Sequence, residues 1–153
     1  MLITGNIAPN FSLSGDDGRM HSLNDFRSKP LIIFFYPKDL TPGCTMEACG
    51  FSTSSDKFAA HKAQIIGISK DSLASHARFK SIFSLRMLLL SDPDLAVHKL
   101  YQAYGDKSLY GRLSSGVIRS TFLIDEEGVI IKSWYKVRVK NHVDAVLEAL
   151  SKR

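Results

Sequence analysis

The chain has 153 residues, enough to bury one sizeable core, and its 44% hydrophobic and 23% charged content is ordinary for a globular protein. The longest apolar run, Leu31 to Tyr36, is too short to cross a bilayer, and MLITGNIAPNFSL lacks a basic start leading into an apolar stretch. Neither a membrane partner nor a secretory signal is expected. The net charge of +5 reads as a solvated surface: the densest basic segment, Lys132 to Lys140, alternates with apolar residues as a strand and its exit do, and carries no nucleic-acid-binding motif.

In chain order, Phe11 and Leu13 alternate with polar residues before Asp17-Gly18, a hairpin turn signal. Pro30 to Tyr36 is apolar on both faces, as a central buried strand is, and Gln64 to Ser69 is a second such strand. Asp71 or Ser72 is expected to cap a helix running to about Phe83, followed by a third apolar run, Met87 to Leu90. Asp92-Pro93 reads as a cap with proline at the first helical position, putting Val97, Tyr101 and Tyr104 on one helix face. Ser120 to Asp125 and Val129 to Trp134 flank a turn and form a hairpin. Asn141 caps a last helix that buries Val143, Val146, Leu147 and Leu150. No repeat or linker interrupts residues 1–153, so one domain is expected: an α/β fold with a central mixed sheet flanked by helices and an N-terminal β-hairpin.

Both cysteines fall in one segment, YPKDLTPGCTMEAC. A buried strand ends at Tyr36, and Thr41-Pro42 has the signature of a helix start, with Thr41 as N-cap and proline at N1. Cys44 is then N3, where first-turn amides and the helix dipole favour a thiolate over a thiol. Gly43 has no side chain to crowd whatever approaches the sulfur. A small residue packed at a helix start is the bland alternative. Two cysteines without C-x-x-C spacing and without a nearby histidine argue against zinc and against an ordinary thiol–disulfide exchanger. No metal or cofactor is expected. In the cytoplasm, the expected compartment, structural disulfides are rare, and two cysteines are more often catalytic, metal-binding or merely buried.

Pro37-Lys-Asp-Leu-Thr41-Pro-Gly-Cys44 matches the P-x-x-x-T-x-x-C signature, and here the chain resembles the peroxiredoxins. The run FFYPKDLTPGCTMEACGF, with LLSDPD at 89–94 and RSTFLID at 119–125, is similar to the bacterioferritin-comigratory, or peroxiredoxin Q, branch. The resemblance implies a thioredoxin-like fold and a peroxidase acting on hydrogen peroxide and organic hydroperoxides. It makes Cys44 the peroxidatic and Cys49 the resolving cysteine. It implies that Thr41 bonds the peroxide or thiolate, that Pro37 shields the sulfur, and that Arg119 lies beside it. Glu47 matches an acid three residues after the reactive cysteine. Its charge alone would disfavour the thiolate, so its expected part is to orient Arg119. The implied partner is thioredoxin or a similar thiol reductant, and the implied state a monomer, with a weak dimer as the other possibility. A redox-sensing or chaperone-like switch using the same pair is the competing function. The chain departs from the branch at Arg86-Met87-Leu88, where a Pro-Phe-Pro-like segment is common, and at Ser52-Thr53, where Arg-Asp is frequent. Both bear on the pocket wall and substrate preference.

Overall fold

The computed structural model describes residues 1–153, the side chains of residues 108 and 109 excepted. Its seven-stranded sheet has the order β2 (Met20–Ser22), β1 (Ser12–Gly15), β5 (Leu88–Ser91), β4 (Gln64–Ser69), β3 (Leu31–Phe35), β8 (Ser120–Ile124), β9 (Ile130–Tyr135). The central strand β3 (Leu31–Phe35) is buried along its whole length. It pairs in parallel with β4 (Gln64–Ser69), which pairs in parallel with β5 (Leu88–Ser91). On its other side β3 runs antiparallel to β8 (Ser120–Ile124), which turns back into β9 (Ile130–Tyr135). The N-terminal hairpin of β1 (Ser12–Gly15) and β2 (Met20–Ser22) adds to the β5 edge.

The period of two along β3 divides the core. Leu31, Ile33 and Phe35 face one layer with Phe11, Val97, Tyr101 and Phe122. Ile32, Phe34 and Tyr36 face the other. There they meet three helices: α1 (Pro42–Thr53), α3 (Leu73–Phe83) and α5 (His142–Ser151). A short α2 (Ser55–Ala60) follows α1 after Ser54, and its Phe58 is fully buried. Ser72, not Asp71, caps α3, accepting a hydrogen bond from the Ser75 amide. In α5, Val146 and Leu150 are buried and Val143 and Leu147 partly so, while Asn141 precedes the helix in left-handed backbone without a side-chain cap.

The segment after β5 departs from expectation. Pro93 is not the first helical residue; α4 spans Ala96–Leu100, after Leu95 in left-handed backbone. Asp92 caps this helix from a distance: its carboxylate accepts from the amides of Val97 (3.3 Å) and His98 (2.8 Å) and lies 2.6 Å from His98 Nδ1. With the cap acting across the turn, the helix starts later. Tyr104 therefore falls outside it, at the start of β6 (Tyr104–Leu109), which forms a separate two-stranded sheet with β7 (Arg112–Val117). This second hairpin ends beside Ile118 and Arg119, and so positions the strand entry that carries the arginine.

Candidate active site

The chain leaves the buried end of β3 at Tyr36 and reaches the start of α1 in five residues. Leu40 makes the turn with φ of 66°, a left-handed conformation that costs a branched side chain about 1–2 kcal/mol. Asp39 holds this turn from both backbone and side chain. Its amide donates to Asp71 Oδ2 (2.9 Å), while Tyr36 Oη and Ser75 Oγ donate to its carboxylate at 2.6 and 2.8 Å. Thr41 occupies the N-cap position, but its hydroxyl does not cap the helix. It donates backwards to the Lys38 carbonyl at 2.7 Å. The first-turn amides around Gly43 and Cys44 thus lack a side-chain cap, and Thr41 Oγ1 keeps its lone pairs for an incoming O–H.

Cys44 is 1% exposed. Arg119 meets it from the entry to β8, with Nη2 at 3.4 Å from Sγ and Nη1 donating to Glu47 Oε1 at 2.8 Å. A Cβ on Gly43 would lie 3.3 Å from Arg119 Nη2, so glycine there keeps the guanidinium's path to the sulfur open. Arg119 also forms part of a cleft of about 490 Å³ lined by Pro37, Asp106, Lys107, Ile118, Lys136 and Val137. One side chain therefore connects an accessible cleft to a buried sulfur. Lys107 and Lys136 add positive charge at the rim, and burial together with the charge of Arg119 lowers the Lys107 amine from its ordinary value. No local pattern marks these two lysines as part of the site, because they lie far from the cysteines along the chain.

Cys49 faces elsewhere. It is half-buried in a separate groove of about 450 Å³ with Met46, Gly50, Val139 and Val143, and burial pushes its thiol up. Both cysteines are free thiols, and α1 passes through them without a break. Arg86 and Met87 line a third cavity, of about 200 Å³, with Phe51, Ala59 and Ile65. They are not among the residues lining the Arg119 cleft. Ser52 ties the two departures from the family pattern together, since its Oγ accepts from the Arg86 amide at 3.0 Å. Asp39, Asp71 and His76 bring metal-ligand atom types within 4.8 Å of one another, but protein donors and acceptors already engage all three.

The family model described as "AhpC/TSA family" matches residues 4–133. The chain belongs to this family and is a peroxiredoxin. It is 44% identical to peroxiredoxin Bcp of Bacillus subtilis, covering 95% of this chain and 93% of that one. It is 38% identical to peroxiredoxin Bcp of Escherichia coli, covering 97% and 96%. The bacterioferritin comigratory protein of Xanthomonas campestris, whose structure was described for alkyl peroxide reduction activity, superposes with a TM-score of 0.88 at 38% identity, covering 93% and 90%. A Xylella fastidiosa PrxQ superposes with a TM-score of 0.92 at 30% identity, covering 99% and 97%. The fold of this peroxiredoxin is thus the thioredoxin-like fold, and its activity class is thiol peroxidase. Among the described residues, no helix is long and apolar enough to cross a membrane.

Two buried groups that feel the charge of Arg119 have opposed pH behaviour. Glu47 is fully buried, and only one of its oxygens has a partner among the described residues. Burial raises its carboxyl from 4.5 to about 7 despite the Arg119 charge. A carboxyl raised in the fold costs stability as pH rises, here by about 3 kcal/mol once fully ionised. His142, packed against Phe51 and Trp134 and 2.8 Å from Thr121 Oγ1, is lowered from 6.5 to about 4 by burial and by the charge of Arg119. It costs stability as pH falls through that interval. The two trends oppose each other in the wild type, and Glu47→Gln uncovers the second. Urea unfolding of the reduced protein is expected to find Glu47→Gln more stable than wild type at pH 8, with most of the advantage lost by about pH 5 and the remainder only below about pH 4. An advantage independent of pH would mean that Glu47 is not ionising in this range.

Proposed function

We propose that the chain reduces hydrogen peroxide and organic hydroperoxides through a two-cysteine cycle. The Cys44 thiolate attacks one peroxide oxygen. The O–O bond breaks, the other oxygen leaves as alkoxide or hydroxide and takes a proton, and Cys44 becomes a sulfenic acid. The Cys49 thiol then attacks that sulfur, releases water and closes a disulfide. A dithiol reductant of the thioredoxin type supplies the two electrons that restore both thiols. Arg119 and the uncapped amides of α1 stabilise the charge that develops on the oxygens; Thr41 accepts from the peroxide O–H; Pro37 walls the approach; Glu47 aims Arg119. The working unit is one domain, acting as a monomer in the cytoplasm.

The observation that carries the proposal is the contact of the Arg119 guanidinium with a buried cysteine at a helix start. The test is steady-state peroxide consumption with thioredoxin, thioredoxin reductase and NADPH, run on wild type and Arg119→Ala. Sustained NADPH oxidation is expected in the wild type. The alanine variant is expected to fold but to react about 100-fold or more slowly, in line with the loss of one charge-stabilising donor. Arg119→Lys should recover only part of the rate, since an ammonium cannot serve Glu47 and the sulfur as a fork does. A single oxidation without turnover would instead favour the redox switch.

A further inference from the structure

The turn that delivers Cys44 rests on a buried charge that the peroxidase cycle does not use. His76, on α3, is fully buried. Its Nδ1 lies 2.7 Å from Asp39 Oδ2 and its Nε2 lies 2.9 Å from the Leu90 carbonyl. A carbonyl only accepts, and so does an ionised carboxylate. Asp39 takes donors from Tyr36 and Ser75 as well, which is the pattern of the ionised form. Both ring nitrogens must therefore donate, and the ring is an imidazolium.

We propose that the His76–Asp39 ion pair is a positioning device for the peroxidatic cysteine, holding the Pro37–Thr41 turn and thereby the start of α1 in the geometry that brings Cys44 to Arg119. The proposal rests on the peroxidase reading of that site. The connection is physical at each step. Asp39 lies between Pro37, which lines the cleft, and Leu40, whose left-handed backbone stores strain. Thr41 Oγ1 bonds back to Lys38 across the same turn. Freed from its anchor, the turn can relax the strain at Leu40, and the helix start moves with it.

The groups facing the ring are few. Asp39 comes from the turn after β3 and Asp71 from the turn after β4. The Tyr36 ring sits 6.5 Å away at the end of β3, and β5 offers the Leu90 carbonyl. Burial works against the charge, yet Asp39, the Leu90 carbonyl and Asp71 outweigh it and raise the imidazole above its ordinary value. A group raised in this way contributes fully below the ordinary imidazole range, and its contribution is lost as pH rises through the raised value. A neutral ring keeps one N–H and must abandon either Asp39 or Leu90.

Stopped-flow measurement of the first turnover with hydrogen peroxide, across pH, tests this on reduced wild type, Asp39→Asn, His76→Leu, His76→Asn and Tyr36→Phe. Asp39→Asn and His76→Leu are expected to slow oxidation of Cys44 by about tenfold, the effect of losing one hydrogen bond to a charged group if it is expressed fully in the rate. His76→Asn puts an amide N–H where Nδ1 stands and should recover much of the loss. It should also lack the alkaline decline in rate that the wild type shows when its ring deprotonates. Tyr36→Phe keeps the ion pair and the packing, removes one donor to the charged Asp39 and should slow the reaction by up to about tenfold. If the more severe variants do not fold, His76→Asn and Tyr36→Phe still decide the matter. Folded variants with the wild-type rate and pH profile would overturn the proposal, as would His76→Asn retaining the alkaline decline. A wild type whose Cys44 does not react would overturn the peroxidase reading itself, and this proposal with it.

Discussion

Cys44→Ser is expected to bring peroxide reduction down to background, whereas Cys49→Ser should complete one reaction and stop. The asymmetry follows from where the two sulfurs sit. Cys44 lies at the third position of a helix whose first-turn amides have no side-chain cap, and Arg119 Nη2 is 3.4 Å from its sulfur. A serine hydroxyl at that place is not ionised near neutral pH and is a poor nucleophile without an adjacent base. Cys49 faces a different groove, five residues along the helix, and burial keeps its thiol protonated. In Cys49→Ser the Cys44 sulfenic acid has no partner in the chain. It should accumulate to one equivalent, which trapping with a sulfenic-acid-specific nucleophile and intact-protein mass spectrometry can count. Further turnover then requires an external thiol. Equal loss of the first turnover in both variants would contradict the assignment of roles.

Much of this arrangement was legible in the sequence because its signals are local. A short continuous apolar run, hemmed in by Pro30 and Pro37 and too short for a typical helix, reads as a strand buried on both faces, and β3 is one. Thr41-Pro42-Gly43 marks a helix start from residue types alone, which is enough to locate Cys44 within its first turn. Glu47 shares a face with Cys44 because three residues nearly complete a turn. Arg119 is a different matter. It is 75 residues from Cys44 in sequence, and only the resemblance of RSTFLID to a family pattern brought it to the site. Periodicity misled at α4, where Asp92-Pro93 imitates a cap and first turn. The Asp92 carboxylate reaches forward to Val97 and His98, a long-range cap that spacing rules do not anticipate. The β6–β7 hairpin was not foreseen, since its mostly polar residues show neither a buried run nor clear alternation. His76 and Asp39 could not be paired in advance, because a histidine in a polar helix and an aspartate in a turn each have ordinary surface explanations.

Closing the disulfide is expected to unwind the middle of α1. In a regular helix, five residues rise about 7.5 Å and rotate about 500°, so the side chains of Cys44 and Cys49 diverge by about 140° and their α-carbons stand about 8.6 Å apart. A disulfide needs α-carbons within about 7 Å and side chains directed at each other. The helix here runs unbroken from Pro42 to Thr53 with both thiols free, so the reduced form cannot bond without local melting. Gly43 and Gly50 flank the stretch and lower the cost of leaving the helix. The opposing force comes from the far end of α1. Gly50 packs so closely on α5 that a Cβ there would lie 3.0 Å from Val143 Cγ2. Phe51 stacks on Phe34 at 4.8 Å and packs at a tilt against Phe58 at 5.8 Å, and its burial is worth about 1.5–3 kcal/mol. Melting that stops at Gly50 spares this aromatic cluster; melting that continues exposes Phe51 and frees the Ser52 tie to Arg86. The two extents are distinguishable. Amide exchange should lose protection over residues 44–50 on oxidation in either case, and over residues 51–55 only if Phe51 leaves the core. Trp134, the chain's one tryptophan, packs on His142, which in turn packs on Phe51, so its fluorescence should respond in the second case alone. Full protection across residues 44–50 in the oxidised protein would rule out a disulfide between these cysteines within one chain, and with it the assignment of Cys49 as the resolving residue.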